Sequence, residues 1–375
     1  TRLVWTCTRS ELRAGRYAAA PRPEGGWSHD ISMVDHALAY APRSKEKFTP
    51  SGIVDALGRD VPEAALWHGN RRANEPFAPP AGQQEELAGT WLWGGTLWSY
   101  FAHFIVESPG RLWALDHLDT PPEGIVFIPR RAGQDIALNR FQTEFFAALG
   151  VDLPIKVVAD AARIERLLVP GQGFGLGAIS AGTEKFRDFV HARFGAGVAP
   201  EGGDKLYISR SLLGPKRGGL IGEDQIEAEL AAQGYEIFHP QKHDIATQIA
   251  RYKAARKIVA PEGSALHLYA YAGGPDQSVA LIQRRRSAAT DHIVAHIESF
   301  TGTKVAVIDV LREVWQPVGS NRKRLSVGEP DLPALGVALR DAGFIGDGPV
   351  WAPLDPDAVR AAMGERFVAT GEVAD

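Results

Sequence analysis

The chain has 375 residues, 45% of them hydrophobic and 23% charged, the profile of a globular protein long enough for two ordinary domains. Its formal net charge of -4 gives no reason to expect nucleic acid as a partner, and the single cysteine, Cys7, rules out an internal disulfide and a cysteine-rich zinc site. No run of about 18 apolar residues occurs, so no integral membrane segment is expected. The chain opens on Thr1 rather than methionine, which leaves room for a short leader trimmed ahead of it.

In the first half, strands are expected at Leu3–Thr8, Gly124–Pro129, Ile155–Ala159 and Arg166–Pro170, and helices at Ser99–Leu115, Asn139–Leu149 and Thr183–Phe194, with long Gly/Pro-rich connections through residues 15–95. Gly195, Gly197, Pro200, Gly202 and Gly203 mark a linker. The second half is more regular. Apolar strands at Asp204–Ser209, Tyr235–Pro240, Lys257–Pro261, Ser278–Gln283 and Lys304–Val310 alternate with helices at Glu223–Gln233, His243–Arg256, Ser264–Ala272 and Thr290–Phe300. Gly234 is placed to cap the first of these helices. Such alternation implies a parallel sheet covered on both faces. Residues after 312 are Gly/Pro-rich and are expected to be an irregular tail that packs back on the N-terminal domain.

Three segments carry candidate chemistry. In Tyr100–Leu112, His103 and Glu107 stand four residues apart on the helix face opposite Phe101, Phe104 and Ile105, so their side chains can meet. A carboxylate beside an imidazole suits removal of a proton from a hydroxyl; the bland alternative is a solvated His–Glu pair. Pro109 removes a helix hydrogen bond and is expected to kink or restart the helix there. In Leu206-Tyr207-Ile208-Ser209-Arg210, a strand delivers Arg210 to the carboxyl edge of a parallel sheet, where ligands bind, and Lys216 and Arg217 follow. Arginine grips phosphate through two N–H groups and lysine adds a point charge; the alternative is a basic surface loop. In Glu262-Gly263-Ser264-Ala265-Leu266, a turn between strand and helix presents free amides and a positive helix end to a diphosphate, with Glu262 placed to accept from a ribose or sugar hydroxyl. The alternative there is a tight turn that needs glycine for its backbone alone. Neither a Walker A loop nor a GxGxxG fingerprint in its strand–helix setting is present, and the one DxD-like triplet, Asp355-Pro356-Asp357, falls in the tail and carries little weight as a metal site.

Taken together and in order, the HxxxE helix, the Leu206–Arg210 strand with its basic followers, the Ile245–Ile249 helix start and the Glu262–Ala265 turn resemble glycosyltransferase family 61, formerly a domain of unknown function in capsular polysaccharide and plant xylan proteins. The likeness spans about residues 96–283. Two departures stand out. Glu262-Gly263-Ser264-Ala265 replaces the usual His-Gly-Ala, and Pro109-Gly110-Arg111-Leu112 stands where Leu-Pro-Arg-Leu is common.

The resemblance implies an α/β protein of the GT-B type: an acceptor-side Rossmann-like domain over 1–198, a donor-binding one over 199–312, parallel sheets facing a central cleft, and the tail over 313–375. It implies inverting transfer of a sugar from a nucleotide sugar, a UDP-sugar by first choice, to a glycan hydroxyl in cell-surface or capsular polysaccharide synthesis. Glu107 is then the base, tuned by His103. Arg210, Lys216, Arg217 and the Glu262–Leu266 turn hold the donor, with no metal ion and no cofactor beyond the nucleotide-sugar co-substrate. A cytoplasmic protein, with peripheral association at the inner face of the membrane, fits that role. Two alternatives stay open: a nucleotide-sugar epimerase of the same fold, and a nucleotide-sugar- or carbohydrate-binding protein without turnover.

Overall fold

The computed structural model describes residues 20–44, 50–74, 84–214 and 217–371; the strand expected at Leu3–Thr8, Cys7 and Lys216 lie outside them. The chain divides into two compact α/β units, Thr1–Ala196 and Gly197–Asp375.

Unit 1 is built on a six-stranded sheet. Its strands are β1 (Ile31–Tyr40), β2 (Gly52–Val54), β5 (Glu85–Leu97), β6 (Gly124–Pro129), β7 (Ile155–Val157) and β8 (Ala161–Pro170), and a separate small hairpin pairs β3 (Trp67–His68) with β4 (Arg71–Arg72). The order across the sheet is β2-β1-β8-β5-β6-β7. Strands β8, β5, β6 and β7 run parallel, whereas β1 pairs antiparallel with both β8 and β2. The sheet is therefore mixed rather than wholly parallel as expected. The antiparallel edge comes from residues 31–40, part of a region expected to be connection; so does β5, the longest strand. Glycines hid β5. Gly89 and Gly95 have positive φ beside register shifts in its pairing, and a Cβ on Gly94 would fall 2.4 Å from the Phe127 ring on β6. They admit bulges and a close approach instead of breaking the strand. Strand β6 is buried along its whole length, as its unbroken apolar run requires. It packs with Trp93, Ile164 and Leu167 in the unit's core.

The helices of unit 1 among the described residues are α1 (Phe101–Glu107), α2 (Arg140–Ala148) and α3 (Glu184–Arg193). The helix expected over Ser99–Leu115 ends at Glu107, and a separate turn follows at Leu112–His117. Pro109 cannot continue the hydrogen-bond ladder, and a Cβ on Gly110 would meet the Phe174 carbonyl at 2.5 Å, so the chain turns there under tight contact. Arg111, also fully buried, ties three segments together through the carbonyls of Glu63, Ala65 and Pro170; burial brings its pKa down to about 9.

Unit 2 holds the regular half. Strands β9 (Lys205–Ile208), β11 (Glu236–Phe238), β12 (Lys257–Pro261), β13 (Ser278–Ile282) and β14 (Val305–Ile308) form a parallel sheet in the order β11-β9-β12-β13-β14. Helices α4 (Glu223–Ala232), α5 (Ile245–Ala254), α6 (Ala265–Ala272) and α7 (Ala289–Thr301) alternate with them, and Gly234 closes α4 with φ +84°. This is a doubly wound order whose direction reverses between β9 and β12.

The residues after 312 are not irregular. They complete β15 (Leu311–Pro317) and add β16 (Val327–Pro330), α8 (Leu332–Asp341), α9 (Pro356–Met363) and β17 (Phe367–Ala369), which with β10 (Gly219–Leu220) make a second sheet, β10-β16-β15-β17. Leu332, Leu335, Leu339, Phe344 and Trp351 share one core cluster with Tyr207 and Ile226, so the tail belongs to unit 2. No helix among the described residues is long and apolar enough to cross a membrane.

Candidate active site

In unit 1, α1 leaves the carboxyl end of β5, so its polar face lies at the sheet edge where parallel strands present ligand-binding groups. The expected His103–Glu107 pair is there, with His103 Nδ1 2.8 Å from Glu107 Oε2. It is no solvated pair, because the Glu107 side chain is 0% exposed. A second histidine completes it: His68 Nδ1, from β3, lies 2.6 Å from Glu107 Oε1. Burial pushes the Glu107 carboxyl up, but hydrogen bonds from His103 and His68, with their charges, outweigh it and hold the group below the ordinary carboxylate range. An ionised carboxylate only accepts, so each imidazole donates from Nδ1; on a neutral His103 this leaves Nε2 as the nitrogen that can accept a proton.

The surroundings fix this geometry. The Trp98 indole stacks on His103 with ring centroids 4.4 Å apart, and Arg130, at the end of β6, lies 5.2 Å from the Trp98 ring. Gln172 accepts from the Trp67 amide at 2.9 Å and donates to its carbonyl at 3.0 Å, pinning the residue before His68. The Trp98 Nε1–H is buried and finds no acceptor among the described residues. The side chains of His68 and His103 are 40% and 38% exposed. Solvent and substrate therefore reach the histidines, not the glutamate. The nitrogen and oxygen donors of the three residues lie within 4.8 Å of one another, so they are also the set in unit 1 that could hold a metal ion. In the described geometry both carboxylate oxygens are already taken by imidazole nitrogens.

In unit 2, Arg210 leaves β9 and Glu262-Gly263 leave β12, the two strand ends at the reversal of strand order. A Cβ on Gly263 would fall 2.5 Å from Arg210 Nη1, so the glycine admits the guanidinium against the backbone. Arg210 donates from Nη2 to the Arg217 carbonyl at 3.0 Å, and its buried Nε–H finds no acceptor among the described residues. Burial lowers the pKa of Arg210, and the nearby Glu223 and Glu262 carboxylates counter that fall only in part. Helix α6 starts with no side-chain cap, and the amides of Gly263, Ser264 and Ala265 at its positive end donate to no backbone carbonyl among the described residues. The Leu266 amide is already spent on the Gly263 carbonyl, and its side chain is core.

Glu262 differs most from expectation. Its side chain is 0% exposed and both oxygens accept from Arg285, at 2.7 to 3.2 Å. A carboxylate so enclosed is not available to a sugar hydroxyl. Arg217 is exposed and contributes its carbonyl, and Lys216 lies outside the described residues. Asp355 is the cap of α9, accepting from the Asp357 amide, while Asp357 pairs with Arg360.

His68 and Arg285 were not found from sequence. His68 stands 39 residues before Glu107, with no local spacing to flag it. Arg284-Arg285-Arg286 directly after an apolar strand was a visible signal of charge delivered to a sheet edge.

Among curated proteins none matches the chain. Residues 101–275, which carry His103, Glu107, Arg210, Glu262 and Gly263, match the protein family described as Glycosyltransferase 61. Over those residues, a little under half of the chain, the protein is similar to glycosyltransferase family 61.

Proposed function

We propose that the protein is an inverting glycosyltransferase of the GT-B type, which moves a sugar from a nucleoside diphosphate sugar, in the first instance a UDP-sugar, to a hydroxyl of a cell-surface or capsular glycan. Unit 1 serves the acceptor and unit 2 the donor. The observation that carries the proposal is the enclosed Glu107 carboxylate bridging two solvent-accessible histidines, within a segment similar to a sugar-transferase family.

In this mechanism Nε2 of His103 takes the proton from the acceptor hydroxyl, and Glu107 fixes the imidazole and stabilises the imidazolium that forms. The base is thus the histidine, with Glu107 as its orienting group. The acceptor oxygen bonds to the anomeric carbon as the bond from that carbon to the diphosphate oxygen breaks. The diphosphate leaves with its charge met by Arg210 and the amides at the start of α6. Those groups supply the charge stabilisation, so the proposal assigns the reaction no metal ion.

The test is incubation of the full chain with a panel of nucleotide sugars, with and without acceptor glycans, with and without a chelator. Acceptor-dependent transfer that survives the chelator is expected. Isomerisation of the donor without acceptor would show an epimerase instead, and donor binding without any turnover a binding protein.

A further inference from the structure

At the carboxyl edge of the unit 2 sheet three guanidiniums, Arg210, Arg284 and Arg285, gather around Glu262 and Gly263. They are not equivalent. Arg284 is buried and spends itself on carbonyls, with Nε donating to Glu262 at 2.9 Å and Nη1 to Ser326 at 3.0 Å. It is an internal strut. Arg285 turns one edge, Nε and Nη2, onto the Glu262 carboxylate, and its Nη1 makes no hydrogen bond to the described residues. Its side chain remains 13% exposed. Arg210 likewise keeps a buried Nε–H without an acceptor.

The balance of charge points the same way. The three guanidiniums face two carboxylates, Glu262 and Glu223, and Glu223 is occupied by the Arg210 amide at 2.6 Å and by Tyr207. Positive charge in excess, beside three amides at a helix start with no backbone acceptor among the described residues, is an environment completed by an anion. A diphosphate carries charge at two phosphorus centres, so two separated guanidiniums match it better than one.

We infer that Arg285, oriented by the enclosed Glu262 carboxylate, is a second donor-binding arginine that closes on the diphosphate opposite Arg210. Glu262 is then a positioning residue: it touches no ligand and locks the guanidinium that does. This rests on the glycosyltransferase reading, because the diphosphate is the leaving group of that reaction.

The experiment is calorimetric titration of the full chain with UDP, GDP and inorganic pyrophosphate. Arg285→Lys keeps a cation against Glu262 but loses the second N–H edge, and UDP should bind about tenfold more weakly with the unliganded Tm little changed. The double variant E262Q/R285Q removes the buried pair as a neutral unit, guards against misfolding of the single variant, and should lose at least as much. In the wild type, UDP should slow amide exchange over residues 283–287. If both variants bind UDP within twofold of wild type while R210Q is impaired, or residues 283–287 gain no protection, Arg285 is only the partner of Glu262 and the donor site stands without it. If the wild type binds none of the three probes, the inference and the glycosyltransferase reading fall together.

Discussion

Each unit holds, at the carboxyl edge of its sheet, a glutamate with a fully enclosed side chain, Glu107 in one and Glu262 in the other, and the two have different partners. Glu107 in unit 1 accepts from two histidines, the residue type suited to proton transfer. Glu262 in unit 2 accepts from an arginine, which stays charged. The carboxylates are alike in burial, so the partner distinguishes them: under the proposed function, proton transfer follows from the first and anion binding from the second. In both places the partner is more exposed than the carboxylate, the histidine side chains at 40% and 38% and Arg285 at 13%, against 0% for each glutamate.

The comparison breaks most clearly at Glu107. Glu107→Gln should lower turnover by about a thousandfold or more, because the neutral amide no longer holds the imidazole tautomer, while UDP binds as in the wild type. Steady-state transfer and calorimetry on one preparation check both halves, and retained turnover would remove Glu107 from the mechanism. The two histidines should separate next. His103→Gln should cost roughly a hundredfold or more in kcat and His68→Gln roughly tenfold, His68 acting through the shared carboxylate. A reversed ranking would move the base to His68.

Gly263→Ala probes the other unit. A Cβ at 2.5 Å from Arg210 Nη1 displaces the guanidinium, so UDP should bind about tenfold more weakly, with the His–Glu–His geometry untouched. Equal UDP affinity would show that Arg210 is not a donor ligand.

The smallest effect is in stability against pH. Glu107 has a depressed pKa in the fold, so its contribution is present above the ordinary carboxylate range and is lost only as pH falls through that depressed value. His296 in unit 2, buried against His267, is also depressed, by burial first and by His267 second. It is held neutral, and its contribution is lost as pH falls below the ordinary histidine value of about 6.5, at no more than about 1.4 kcal/mol per pH unit. Unit 2 should therefore begin to weaken at a higher pH than unit 1, which amide exchange resolved by unit between pH 7 and 4 would measure. Simultaneous weakening would contradict the assignment of these groups.

The legible parts of the sequence were those where local pattern and final environment agree. Between residues 204 and 310 the apolar runs are short and the central strands are buried along their length, so each expected strand and helix there falls within a residue or two of its expected place. In unit 1 the glycines of β5 read as breaks, because their purpose, room for Phe127 and for bulges, exists only once β6 and β8 lie alongside. The tail misled for a related reason: Leu332, Leu335 and Trp351 look like scattered apolar residues until Tyr207 and Ile226 give them a core to join.

By itself the sequence determined the alternation of strands and helices, the i, i+4 placement of His103 and Glu107, and the delivery of Arg210 and Gly263 to strand ends. These follow from periodicity and from backbone chemistry within a few residues. Only the tertiary structure decided which partners those groups meet. Burial enclosed Glu107 and Glu262 and brought in His68 from 39 positions away and Arg285 from 23, and the cost of leaving an enclosed carboxylate uncompensated is what holds those partners in place.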